Sequence, residues 1–422
     1  MDKLLQIFKI PELRKKIIVV VLMLVAFRFM ASVPIPGIDL ERLKEFFSNN
    51  QLFGLLNVLS GGGMSNFSIV LMGVGPYITS SIIMQLMTMI VPQIEKLYRE
   101  EGEAGRQKFN QITRALSVPI AILQGFSMIM LYNKQQIIPD MSPAQIASIL
   151  VTITAGTVLL MWLGELITEK GIGNGVSLII FAGIVSGFPS TIQALRANWD
   201  ESKLLTYGGM ALVFFAIVYA VVFITEGQRN IPVTYARRVR SGKVMGGSNT
   251  YLPLRVNQAG VIPIIFALSV LLFPSVIANF VTTLKLEKIQ GPAMAIDAFF
   301  QNPLYHGIFY FLLVAIFTFF YTKIAFDPKK ISENLQKNGG YVPGIRPGKK
   351  TEEYLGYVVN RITLAGAVFL GFVAVLPFIV QSATQIQSLS VGGTSLLIVI
   401  SVVIETIKQI EGQIVMRDYE RI

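Results

Sequence analysis

Read from its first residue, the chain alternates long apolar runs with shorter polar intervals, and most runs have the length of a bilayer crossing. Ten can be marked, at about 17–36, 67–91, 115–132, 146–168, 176–194, 204–225, 259–284, 304–325, 362–381 and 391–410. Roughly 20 apolar residues at a rise of 1.5 Å cover the ~30 Å of bilayer hydrocarbon. The pattern therefore predicts an all-α polytopic membrane protein with ten transmembrane helices. The second run is unlike the rest. From Ser68 to Met87 it reads SIVLMGVGPYITSSIIMQLM, with Gly73, Gly75 and Pro76 together and Thr79, Ser80, Ser81 and Gln85 behind them. Gly and Pro cost about 1 and 3 kcal/mol in a helix interior. Broken backbone survives in a membrane only where protein or a water-filled cavity re-satisfies it. The segment reads either as a Pro-kinked span or as part of the wall of a pathway.

Composition fits the pattern. The 422 residues are 53% hydrophobic and 14% charged, with a mean hydropathy of +0.60; a soluble domain carries about 25% charged residues. There is no cysteine and one histidine, His306. That removes disulfide frameworks, zinc clusters, thiol nucleophiles and most histidine acid–base chemistry, and no metal or cofactor is implied. The opening MDKLLQIFKIPELRKK has no small-residue cleavage site after a short apolar core, so no removable signal peptide is expected. Across the ten runs, 28 Lys and Arg fall on the side of the N-terminus and 7 on the other. The positive-inside bias then puts both termini in the cytoplasm and explains most of the net charge of +11 without nucleic acid. Ten runs also divide into halves of five, 1–195 and 196–422, of opposite orientation, as in inverted-repeat transporters; the halves share no visible sequence identity.

Two cytoplasmic intervals, 226–258 and 326–361, are far longer than the usual 2–8 residues between helices. Both mix basic residues with Tyr, Pro and Gly. Tyr235, Val244, Tyr251 and Leu252 alternate with polar residues and suggest hairpin strands. Arg237, Arg238, Arg240, Lys243 and Arg255 in the first interval, with Arg346, Lys349 and Lys350 in the second, suit a docking surface for RNA phosphates or an acidic protein. Ahead of the second run, the stretch from Leu52 to Leu59 is apolar but too short to span, which suggests a re-entrant or interfacial piece. Gly61, Gly62 and Gly63 follow it as a candidate hinge, with no Lys to make a phosphate loop. Gly171-Ile-Gly-Asn-Gly175 reads as a tight turn between the fourth and fifth runs.

Several segments together resemble the SecY family, the large subunit of the Sec protein-conducting channel. They are SIVLMGVGPYITSSIIMQLM (68–87), WLGELITEKGIGNGVSLII (162–180), VPIPGI (33–38), YLPLRVNQAGVIP (251–263), VPGIRPG (342–348) and GGTSLLIV (392–399), in that family's order and spacing. The resemblance covers nearly the whole chain, and the two long cytoplasmic intervals have the bacterial form. The chain ends at Arg421-Ile422, earlier than the family pattern leads one to expect.

The resemblance implies a clamshell of two halves around an hourglass pore. Residues 52–65 become a plug, with Leu52, Phe53, Leu55, Leu56, Val58 and Leu59 ahead of Gly61, Gly62 and Gly63. Matching motifs assigns a constricting ring to Val74, Ile78, Ile180, Ile184, Ile265 and Ile398; the first four form two pairs four residues apart, each on one helix face. Spans 2, 3, 7 and 8 become a lateral gate towards lipid, to which the amides Gln85, Gln124 and Asn257 are assigned. The long intervals become the docking site for the SecA motor ATPase or the ribosome, and Arg346, between Pro343 and Pro347, a fixed docking residue. The other implied partners are the small subunits SecE and SecG, signal sequences and nascent polypeptides, membrane lipids and, transiently, YidC. The implied function is translocation of unfolded secretory polypeptides across the bacterial cytoplasmic membrane and insertion of transmembrane segments into it. The channel is no enzyme, and a partner supplies the energy.

Ionisable residues weigh against the competing readings. A secondary transporter needs acidic or polar coupling groups near the midplane, whereas Glu165, Glu169, Lys323 and Lys408 fall near cytoplasmic span ends, with Glu405 deeper beside Lys408. An intramembrane protease needs a Ser/His or paired Asp constellation, and His306 stands near the outer start of the eighth run. Arg28 is about 17 Å into the first run; it either snorkels or faces an aqueous cavity, and the cavity is the preferred reading.

Overall fold

The computed structural model describes residues 10–36, 38, 42–43, 57, 60–139, 141–197, 204–235, 238–240, 243–245, 249–283, 291–292, 299, 302–384 and 388–420. Each expected apolar run falls on a helix: α1 (Pro11–Ser32), α2 (Gly75–Ile90), α4 (Gly102–Lys134), α5 (Pro143–Lys170), α6 (Gly175–Ala197), α7 (Leu204–Glu226), α8 (Ile262–Thr283), α9 (Pro303–Ala325), α11 (Lys349–Thr384) and α12 (Ser388–Glu420). Two short polar helices, α3 (Pro92–Arg99) and α10 (Pro328–Lys337), lie between them. Among the described residues, four helices are long and apolar enough to cross a bilayer, within 102–133, 143–170, 304–337 and 349–376; α2 with α3, bent by 111°, makes a fifth if taken as one span.

Local chemistry sets the ends. Pro143 opens α5 behind Ser142, which forms a capping box with Gln145, and Asp327 caps α10 by accepting from the Lys329 and Lys330 amides. The first run, expected to reach residue 36, stops at Ser32. Pro34 holds Val33 extended, and an extended residue ends a helix. The second run, expected to be one span from 67, is a series of turns as far as Val74 and becomes helical only at Gly75. Its unwound amides and carbonyls are satisfied by protein: Ile35 N donates to Phe67 O at 2.9 Å, Ile69 N to Val33 O at 3.1 Å and Ser68 N to Gly63 O at 2.9 Å. At the other end of α2, Pro92 turns the chain into α3.

By packing, the chain forms two compact units. One comprises Met1–Ser202, Leu268–Gly307 and Pro377–Ile422. Its core includes Phe67, Leu71, Ile129, Tyr132 and Ile153, with the Phe67 and Tyr132 rings 5.7 Å apart. The other comprises Lys203–Ala267 and Ile308–Leu376. Within it the two long intervals, read separately from sequence, make a single folded body. Strands β1 (Gln228–Tyr235) and β4 (Asn249–Arg255) pair antiparallel with Ile231 opposite Leu252, and β5 (Gly340–Tyr341), from the second interval, adds to the other edge of β1. A separate hairpin joins β2 (Arg238–Arg240) to β3 (Lys243–Met245). Tyr235, Val244, Tyr251 and Leu252 all lie on strands, as the alternation suggested. The interval expected to be loop as far as residue 361 is largely helix, because the start of α11 turns Leu355, Val358 and Val359 onto Ile231, Leu254 and Val342. The burial of that apolar stripe stabilises the helix well before its membrane part begins.

Candidate functional site

The turn at 60–65 is the centre of the site. Asn57 organises it: its carbonyl accepts from Gly62 N at 2.8 Å, and its side chain accepts from Ser65 N at 2.9 Å. Gly61 (φ +73°) and Gly62 (φ +80°) occupy the left-handed region that glycine tolerates. A β-carbon on Gly61 would stand 3.3 Å from the Gly183 α-carbon of α6, and it would also run into the Phe27 ring of α1. A β-carbon on Gly73 (φ +57°) would come within 2.6 Å of the Ser60 α-carbon. Gly73 of the second run therefore has a packing reason, whereas a β-carbon on Gly75 would meet nothing within 4 Å. Backbone meets backbone on both sides of Ser60 and Gly61, one wall being the segment that leads into α2 and the other α6. The sequence suggested a hinge at 61–63, and in the structure this turn is seated against its neighbours. The proposed plug residues Leu52, Phe53, Leu55, Leu56, Val58 and Leu59 lie outside the described residues.

The walls of this seat carry four of the six expected aliphatic ring residues, Val74, Ile78, Ile180 and Ile184. Val74 is the N-cap of α2, and Ile78 stands one turn on, its amide donating to Val74 O at 3.0 Å. Ile180 and Ile184 flank Gly183 on α6, which packs against α12, the helix that holds Ile398. All five are buried, as is Ile265 on α8 in the other unit. Branched aliphatics offer water no hydrogen bond, so a constriction made of them dewets when empty.

The three amides behave differently. Gln124 of α4 donates to Thr79 Oγ1 of α2 at 3.5 Å and is the only one of the three whose hydrogen bond joins two helices among the described residues. Gln85 donates to Ser81 on its own helix at 3.2 Å, and Asn257 to the Gly260 carbonyl at 3.2 Å; Oε1 and Oδ1 of these two are buried without a partner. Arg28 is only four residues from the end of α1, not deep in a span ending at residue 36, and its Nη1 donates to Gly61 O at 2.7 Å. One pair escaped the sequence reading: Arg114 of α4 meets Glu165 of α5 at 2.6 Å. Helical spacing cannot reveal a pair whose members belong to different helices.

The described candidate docking residues lie within the two long intervals. Arg346 is exposed, and its backbone is pinned by Thr351 Oγ1, which donates to the Arg346 carbonyl at 3.0 Å. Ser332 Oγ holds Gly348 O at 2.7 Å, and Gly344 and Gly348 take positive φ on either side. Lys349 and Lys350 open α11, both exposed, and Arg255 ends β4, exposed. Lys350 pairs with Glu353 at 2.9 Å, and that hydrogen bond holds the Glu353 carboxyl below its usual range. Arg238, Arg240 and Lys243 belong to the β2–β3 hairpin; Arg237 lies outside the described residues.

A sequence profile described as SecY matches residues 68–407. The protein translocase subunit SecY of Streptomyces coelicolor is 41% identical over 434 residues, covering 98% of this chain and 97% of its own. Two solved structures share the fold at 18% identity, each covering 96% of this chain and 95% of its own. One, with a TM-score of 0.65, concerns a SecY plug domain that stabilises the closed state of a translocation channel. The other, with a TM-score of 0.61, is Sec61 in a canine ribosome–channel complex.

Proposed function

The chain belongs to the SecY family, and from that premise we propose that it is the main subunit of a protein-conducting channel, passing unfolded polypeptides across the membrane and releasing apolar segments sideways into lipid. The observation that carries this reading is the seat: a glycine turn packed backbone-to-backbone between two segments that bear buried branched aliphatics. In it, residues 52–65 are the plug, and Val74, Ile78, Ile180, Ile184, Ile265 and Ile398 close around whatever passes. Such a ring makes no selective polar contact, which suits a substrate carrying every kind of side chain. Gln85, Gln124 and Asn257 bias the lateral gate. Membrane amide contacts average roughly 0.6 kcal/mol, weak enough for a seam that has to open.

The halves 1–195 and 196–422 form the clamshell, and both termini are cytoplasmic in a bacterial plasma membrane, which the distribution of Lys and Arg supports. SecE and SecG are the small subunits. The sheet body, with Arg346 on a pinned turn, receives SecA or a ribosome. Arginine suits either partner because its planar fork takes carboxylate or phosphate through two bonds. The test is to purify the chain with the small membrane proteins that accompany it, reconstitute the complex in vesicles and add SecA, ATP and a secretory precursor. ATP-dependent protection of the precursor from external protease is expected. Vesicles that take up small solutes by ion coupling, and no precursor, would overturn the reading.

A further inference from the structure

We propose that Arg28 is the positioning residue that latches the resting seat, holding the 60–65 turn closed through the Gly61 carbonyl. The inference rests on reading 52–65 as a plug and adds what holds it. Most of the turn's bonds are its own: Gly62 N and Ser65 N go to Asn57, Ser60 Oγ to the Asn57 carbonyl and Ser65 Oγ to the Gly62 carbonyl. Such bonds travel with the turn if it moves and do not oppose its departure. Among the described residues, one hydrogen bond reaches this turn from another helix, the 2.7 Å bond from Arg28 Nη1.

The position of Arg28 makes this choice informative. It is four residues from the end of α1, about 6 Å along the helix axis, so a side chain of this length can reach the interface by snorkelling. The guanidinium instead turns onto a backbone carbonyl in a partly buried site. A charged donor makes a bond roughly twice as strong as a neutral one. A carbonyl is also a partner that can be released without leaving a bare anion behind, as breaking an ion pair would. Against α6 the turn only touches, so closely that a β-carbon on Gly61 would stand 3.3 Å from the Gly183 α-carbon. Contact resists approach and leaves withdrawal free, and the bond from Ser68 N to Gly63 O comes from the stretch of chain that directly continues the turn. Arg28 is therefore the restraint that a separate helix places on the turn, and a polypeptide entering the pore has to break this bond.

The absence of native cysteine makes the test clean. Ser65→Cys is labelled with a membrane-impermeant maleimide in the resting complex carrying Arg28, Arg28→Met, Arg28→Gln or Arg28→Lys. Met removes the donor, and Gln falls short of the carbonyl and carries no charge, so both are expected to raise the resting labelling rate about tenfold or more. Lys keeps a cation of similar reach and is expected to stay within about threefold of Arg. Gln serves if the Met variant fails to accumulate. A wild-type rate in the neutral variants, while a trapped precursor still raises labelling in the parent, overturns the latch and leaves the plug intact. Faster labelling in the neutral variants, with no change on trapping a precursor, supports the latch and overturns the plug. A Lys variant as fast as Met also overturns the proposal, because it reduces Arg28 to a packing role.

Discussion

Gly73→Ala tests the seat from the side of the second run. Two costs can be read from the structure. At φ +57° the residue is in the left-handed region, which costs a residue with a β-carbon roughly 1–2 kcal/mol. The new methyl would also come within 2.6 Å of the Ser60 α-carbon, about 1 Å inside the 3.5–4.0 Å optimum for carbon pairs. Overpacking of that kind costs about 1–3 kcal/mol. The sum is roughly 2–5 kcal/mol, and the overpacking part, about 1–3 kcal/mol, is relieved if the turn withdraws. Every 1.4 kcal/mol that falls on the seated state lowers the ratio of seated to unseated channels about tenfold. The assay is resting ion leak across vesicles that hold the purified complex, beside Gly208→Ala, whose β-carbon meets nothing within 4 Å. Gly73→Ala should leak and Gly208→Ala should not. If Gly73→Ala accumulates normally and leaks no more than the parent, the backbone contact does not seal the channel.

Three further outcomes follow from the geometry. Leu355→Ala removes a fully buried side chain from the core shared by both long intervals, at a cost of about 2–5 kcal/mol; binding of SecA, the proposed motor, should fall while resting ion leak stays at the parent value, measured on the same vesicles. Arg346→Glu reverses a charge on a pinned turn and should abolish motor-driven export with the sheet body still resistant to protease; export at the parent rate would remove Arg346 from the docking surface. Ile398→Asn puts an amide at a buried position of the proposed aliphatic ring, so single-channel recordings should show a larger resting conductance, and precursors with poor signal sequences should be exported.

The sequence made the membrane elements legible because burial in lipid is a property of a single helix, and length with hydropathy reports it. The breaks were half legible. Gly73, Gly75 and Pro76 announced that the second run would not be an ordinary span, but nothing local says that Gly73 rests on Ser60 or Gly61 on Gly183. Those contacts join segments far apart in the chain, and glycine leaves no hydrophobic signal. The same limit concealed Arg114 with Glu165, and Arg28 with the Gly61 carbonyl. The sheet body was misread in a different way. Residues 349–361 are rich in charge, and a charged stretch reads as loop until the apolar stripe of Leu355, Val358 and Val359 is seen to have a sheet to cover. The turn that carries Arg346 was legible because two prolines and two glycines around one arginine are hard to explain by anything but a shaped turn.

The two-interval origin of the sheet body also sets a timetable. Ile231 leaves the synthesising ribosome about 125 residues ahead of Leu355, Val358 and Val359, which complete its core. At roughly 5–20 residues per second, the β1–β4 hairpin waits some 6–25 seconds for the helix that covers it, and α8 and α9 have to be placed in the meantime. A half-made chain therefore lacks the finished sheet body, and any partner that has to grip this body can engage only after α11 has emerged.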